Sequence, residues 1–335
     1  MFHVTHIKVK NSTFACIFFM LFGCNVIDAY SIVFAHLGNT LPHYLADATH
    51  QARLFNTEAR IFVIAENEAI RKISDVRFYD DKIIFVACES LEKSFMHELF
   101  EQQNRLDNGF RQGFWRKTTE RFFLVHELMN QYQLEDVFHL EYDNMLYVDL
   151  NELLPVFHTY SNIAATFDND GRCIAGFIYF AHELAIEKLV DFVAHQAKNT
   201  MNDMQIIAKY RQTFGKKEIA HLPIIMREYL DVCELKSTKG HTAQSPEDYA
   251  HFFSEFNSIF DAAALGQYLG GIDPRNGLSK SGFINESCLF DPSFLSFTWN
   301  IDQKGRRVPF ARFGKTECRI NNLHIHSKKL HLFVS

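Results

Sequence analysis

Val137-Phe138-His139-Leu140-Glu141-Tyr142-Asp143, running on as Asn144-Met145-Leu146-Tyr147-Val148-Asp149, is an apolar stretch that turns acidic partway along. Phe138, Leu140 and Tyr142 alternate with His139, Glu141 and Asp143. That is the period of a strand, and it directs Glu141 and Asp143 from one face. Two carboxylates held side by side repel each other and lose hydration unless a cation sits between them. Where such a strand opens into a loop, the usual cation is a divalent metal with oxygen ligands. The plainer reading is a strand end with solvated acids.

Upstream, Ser31-Ile32-Val33-Phe34-Ala35-His36 is a short apolar run closed by Gly38, and it reads as a buried strand. Leu45, Ala48, Ala52 and Leu54 follow at helical spacing. Ile61-Phe62-Val63-Ile64-Ala65 and Ile83-Ile84-Phe85-Val86-Ala87 read as two further buried strands. Continuous apolar strands joined by helix-length segments predict an α/β fold, with a mixed, mostly parallel sheet flanked by helices. Ligands bind such sheets at the carboxyl ends of the strands. His36, Gly38, Glu66 and Asn67 are therefore candidate nucleotide contacts, with ordinary turns as the other reading. From about 112 to 132 the apolar stripe of Phe114, Phe122, Val125, Met129 and Tyr132 predicts an amphipathic helix. Its Arg121 is a candidate phosphate contact or a structural ion pair.

Downstream, 144–156 reads as a loop and a short helix. Ile163 to Phe167 and Ala175 to Phe180 read as strands on either side of the Asp168-Asn169-Asp170-Gly171 turn. A helix is expected over 184–193, and another from Asn199 to about Tyr210, with Asp203 in its first turn, where an acid also suits the helix dipole. The polar stretch 236–248 reads as a lid or a solvated connection. Phe260 to Leu269 reads as a helix broken by Gly270-Gly271. In the tail, Ile320-Asn321-Asn322-Leu323-His324-Ile325-His326-Ser327-Lys328 places His324 and His326 on one face of an extended segment. Imidazole suits manganese-class metals better than magnesium.

Glu141-Tyr142-Asp143 resembles the short acidic metal motif (D-x-D, here E-x-D) of nucleotide-sugar glycosyltransferases with the GT-A fold. The helix that precedes it and the His324-Ile325-His326-Ser327-Lys328 tail resemble further elements of that family. The resemblance spans about 31–330 in the order of elements. It implies that Asp143, helped by Glu141, binds Mn2+ or Mg2+, that His324 or His326 completes the metal shell, and that Lys328 lies near the donor diphosphate. Asp203 resembles the base of inverting members, with Asn202 where those carry Glu, and 260–274 resembles the part of some members that lies beside the donor sugar, which makes Asp261, Gln267 and Asp273 candidate site residues. The implied partners are a nucleoside-diphosphate sugar donor and a glycan or other hydroxyl acceptor. The alternatives are a sugar-1-phosphate nucleotidyltransferase and a secreted binding protein without turnover. His36-Leu37-Gly38-Asn39-Thr40 lacks the basic loop expected of the first.

The 335 residues are enough to bury a large core, and the net charge of −6 comes without a basic stripe, so nucleic acid is not an expected partner. Seven cysteines without a Cys-x-x-Cys pair argue against a zinc cluster. Lys8 and Lys10 precede the apolar run Phe14 to Cys24. Segment 1–30 therefore reads as a signal peptide, a short membrane anchor or an apolar segment packed on the 31–335 domain or on a membrane surface. The first two place the protein in the secretory pathway or at a membrane, and otherwise it is cytoplasmic.

Overall fold

The computed structural model of the protein describes residues 30–159, 162–277 and 279–335. The N-terminal apolar run lies outside them. Among the described residues no helix is long and apolar enough to cross a membrane.

Strands β1 (Ser31–His36), β2 (Arg60–Ala65), β3 (Ile84–Ala87), β4 (Val137–Leu140), β6 (Ile163–Asn169), β7 (Arg172–Phe180) and β8 (Ile219–His221) form one seven-stranded sheet in the order β3-β2-β1-β4-β7-β6-β8. Only β7 runs antiparallel to its neighbours β4 and β6. The fold is thus mixed α/β with a large, mostly parallel sheet flanked by helices. Ile32, Val33 and Phe34 of β1 and Ile61 to Ala65 of β2 are buried on both faces, as their unbroken apolar runs require. The helix Phe114–Tyr132 packs Phe122, Val125 and Leu128 into the core. It ends where Gln133 takes a left-handed conformation and Leu134 N–H donates back to the Met129 carbonyl.

Three local expectations change. The acidic strand stops at Leu140, and Glu141-Tyr142-Asp143 is a turn. Residues 144–156 begin with a strand, β5 (Asn144–Leu146), before the helix Leu150–Phe157. Phe260 to Ala264 is not helical, because the Asp261 carboxylate takes the N–H groups of Ala264, Leu265 and Gly266, each at 2.8 Å. The helix there runs only from Leu265 to Gly270.

Residues 258–324 add two small sheets. Strands β9 (Ser258–Ile259), β10 (Ser296–Ile301), β11 (Arg307–Phe313) and β12 (Thr316–Ile320) pair in the order β10-β11-β12-β9. Strand β13 (Asn322–His324) pairs antiparallel with β5, setting His324 opposite Asn144. Stretch 236–248 is tied down rather than free, with Ser237 N–H on the His241 carbonyl and Gln244 N–H on the Asp170 carboxylate.

His97 ties the helix Phe95–Gln103 to the helix Phe114–Tyr132. Its Nδ1 lies 2.8 Å from Glu127 and its Nε2 3.4 Å from Glu120. Burial acts to lower the imidazole pKa, but Glu120 and Glu127 outweigh it and raise it to about 9. A raised pKa stabilises the fold fully below the unfolded value of about 6.5, and that stability is lost as pH rises through about 9. Unfolding by urea at pH 6 and pH 10 should therefore show a loss of roughly 3 kcal/mol that His97→Gln does not share. Equal pH slopes in the two proteins would refute it.

Candidate functional site

Glu141 and Asp143 leave the carboxyl end of β4 in the turn that connects to β5. The β5–β13 pairing then brings the tail to them: Ile325 N–H donates to the Asp143 carbonyl at 2.8 Å, and Asn322 Nδ2 donates to Asn144 Oδ1 at 2.9 Å. Asp261 fixes the tail from the other side by accepting His324 N–H at 2.8 Å.

Around the turn the charges alternate in one chain. Lys328 Nζ donates to Asp143 Oδ2. His324 Nε2 lies 3.1 Å from Asp143 Oδ1 and 2.9 Å from Glu141 Oε2. Arg121 links Glu141 to Asp203, reaching the Asp203 Oδ2 at 3.0 Å. Each sign faces its opposite, which is what allows carboxylates to stay ionised in a buried place. Burial disfavours the Asp143 and Glu141 anions, yet Lys328 and His324 hold Asp143, and Arg121 and His324 hold Glu141, below the ordinary carboxylate range. Burial would lower His324, but the two acids push it up to about 10. His326 goes the other way: burial and then His324 lower it to about 3, so it is neutral. Burial and the Glu141 charge raise the Asp203 carboxyl against the pull of Arg121.

These groups line one cleft of about 310 Å3. Among the residues marked from the sequence, Arg121, Glu141, Asp143, Asp203, Gln267, Asp273, His324, His326 and Lys328 line it together. His36, Gly38, Glu66 and Asn67 do not. His36 sits behind the cleft wall, with its ring edge-on to Tyr142 at 5.2 Å. Gly38 lies against the His36 ring. Asn67 N–H donates to the Glu89 carboxylate. Asp261 is fully buried and acts as an anchor for backbone. No residue of 236–248 lines the cleft. Tyr44, Tyr142, Phe110, Trp115, Arg172 and Arg275 also line it, with no sequence signal to mark them as site residues. Aromatic and Arg residues carry no spacing signal of their own, and only the fold shows which of them face inward.

A metal fits this donor set. One ligand atom from each of Asp143, His324 and His326 lies within 4.8 Å of the others. The imidazole rings stand edge-on with centroids 4.4 Å apart. The Gln267 amide lies 2.8 Å from His326 Nδ1 and fixes that ring. One carboxylate and two imidazoles suit a manganese-class ion better than magnesium. Two glycines make the room. A Cβ on Gly176 of β7 would lie 2.6 Å from His324 Nδ1, and one on Gly266 would lie 2.2 Å from the His324 carbonyl oxygen.

No protein-family model matches the chain, and no curated protein matches it. Solved structures do resemble it. Mouse xyloside xylosyltransferase 1 matches with a TM-score of 0.42 at 10% identity, over 61% of this chain and 90% of that one. An active-site mutant of LgtC matches with a TM-score of 0.41 at 14% identity, over 66% of this chain and 81% of that one. A cytidylyltransferase from Leptospira borgpetersenii matches with a TM-score of 0.36 at 12% identity, over 68% and 88%.

Proposed function

We propose that this chain is a divalent-metal-dependent glycosyltransferase. It would move a sugar from a nucleoside-diphosphate sugar to a hydroxyl of a glycan or other acceptor, with Mn2+ as its cofactor. The observation that carries this reading is the convergence of Asp143, His324, His326 and Lys328 at the carboxyl edge of a parallel sheet, from positions some 180 residues apart.

In the reaction the bond between the sugar's anomeric carbon and the diphosphate oxygen breaks, and a bond from that carbon to the acceptor oxygen forms. Negative charge builds on the departing diphosphate. The ion, when bound, would supply positive charge to those oxygens. Lys328, which reaches into the cleft beside Asp143, would add a second cation. The acceptor hydroxyl must lose a proton, and we assign Asp203 to receive it. Its raised affinity for a proton suits a base, and its Oδ1 has no protein hydrogen-bond partner. Arg121 holds the other oxygen and so orients the carboxylate.

Nucleoside diphosphates should raise the melting temperature only with Mn2+, since a ligand at a hundred times its Kd stabilises by about 2.7 kcal/mol. Absence of any metal-dependent shift across the common nucleoside diphosphates would overturn the reading. Label from the donor should appear on a glycan; label recovered only in a nucleotide pool would make the enzyme a nucleotidyltransferase. Asp203→Asn should lower kcat roughly a hundredfold or more while keeping the metal-dependent shift. An undiminished kcat would return Asp203 to a structural role.

A further inference from the structure

We infer that the Asp203 end of the cleft is a saccharide subsite whose floor is the ring pair Phe110–Trp115, and that it receives a pyranose ring of the acceptor. This rests on the glycosyltransferase reading for the identity of the occupant, not for the existence of the site.

Phe110 and Trp115 stack with planes 9° apart and centroids 5.9 Å apart. Phe110 is 41% exposed. The backbone that presents it is strained. Arg111, Gln112 and Gly113 follow one another at φ 47°, 59° and 79°, a conformation that non-glycine residues hold only when their surroundings enforce it. The enforcement comes from across the cleft. Arg111 donates to Asn276 and lies 3.7 Å from Asp273, while its guanidinium covers Phe110 at 5.2 Å. The loop, clamped to the opposite wall through Arg111, holds Phe110 and Trp115 against the cleft, which both line.

Its position follows from helix geometry. Trp115, Thr118 and Arg121 recur every three residues on the helix Phe114–Tyr132 and all line the cleft, as residues on one helix face do. Arg121 holds Asp203, and six residues at about 1.5 Å each put Trp115 about 9 Å along the axis from it. A short saccharide covers that span. The helix sets Trp115 less than two turns before Arg121, and Arg111 reaches Asp273, whose carboxyl feels the Lys328 charge, so the ring pair spans the cleft between the Asp203 wall and the Lys328 side.

The chemistry selects the occupant. A pyranose offers an apolar C–H face to the negative face of an aromatic ring, and its rim of hydroxyls needs polar partners. Arg172, Asn276 and Asn285 line the same cleft, and Arg172 is held by Asp168 at 3.3 Å. A lipid chain would offer these polar groups no hydrogen bonds in place of water.

Trp115 is one of only two tryptophans in the chain. The other, Trp299, packs against Tyr147 and Arg307 outside the cleft. In a Trp299→Phe background, Trp115 fluorescence should change saturably on titration with lactose, cellobiose, maltose or N,N′-diacetylchitobiose. Phe110→Ala should weaken that response roughly tenfold. The difference in emission between wild type and Trp115→Phe reads the same signal if Trp299→Phe does not fold. No response to any of the four sugars, or one that Phe110→Ala leaves intact, overturns the subsite. The manganese-dependent diphosphate shift, measured on the same samples, reports separately on the parent reading: its absence beside an intact sugar response would sink the transferase assignment and leave a saccharide-binding site.

Discussion

Asp143→Asn is expected to weaken manganese binding by roughly a hundredfold or more and to abolish the manganese-dependent response to nucleoside diphosphates. The reason lies in charge. Asp143 is nearly buried and faces His324 and Lys328. A neutral amide in its place would leave two cationic groups close together with only Glu141 to offset them. A divalent ion arriving there would meet net repulsion rather than a carboxylate. Calorimetric titration with Mn2+ reads the affinity directly. A companion variant separates ligand loss from general damage. Lys328→Met removes a cation that competes for the same carboxylate, so manganese should bind at least as tightly as in wild type while turnover drops, because the leaving diphosphate loses its second positive partner. Wild-type manganese affinity in Asp143→Asn would remove Asp143 from the metal shell, and with it the centre of the proposed chemistry.

How much of this was readable beforehand depended on the range of the interaction. β1 and β2 were legible because a strand buried on both faces must be apolar along its whole length, and Ile32 to Phe34 and Ile61 to Ala65 are. The acid pair was legible because carboxylates two residues apart in an apolar context demand a counter-charge. What supplies that charge was only half legible. His324 and Lys328 stood out in the tail, but the contact depends on β5 and β13, three residues each, too short to show a period. Their pairing is fixed by Asn144, Asn322 and Asp261, whose hydrogen bonds leave no pattern in sequence. The carboxyl-edge rule also marked His36, Gly38, Glu66 and Asn67, none of which lines the cleft; the His36 ring packs edge-on against Tyr142, which does. The Phe110–Trp115 pair was not legible at all, since a Phe-rich chain offers many such rings and only the strained Arg111 backbone sets this one apart.

Two alanines should separate the metal shell from the frame that carries it. Gly266→Ala is expected to destabilise the protein by about 3 kcal/mol or more and to lose manganese binding together with stability. The added Cβ would meet the His324 carbonyl oxygen at 2.2 Å, its carbon at 2.6 Å and its nitrogen at 2.8 Å. All three are backbone, so no rotamer change relieves the clash. The His324 backbone cannot retreat either, because Asp261 holds its N–H and β5 holds its strand. Gly176→Ala presses on the same residue differently. Its Cβ would meet His324 Nδ1 at 2.6 Å and Cε1 at 2.9 Å, atoms of a side chain that can swing aside at a smaller penalty. The ring would shift within its pocket while keeping its acids, so manganese affinity should fall while stability falls by only about 1 kcal/mol. Urea unfolding and manganese titration on both variants test the pair. If Gly176→Ala kept full manganese affinity, His324 would not be a ligand, and the shell would have to be rebuilt around His326 alone.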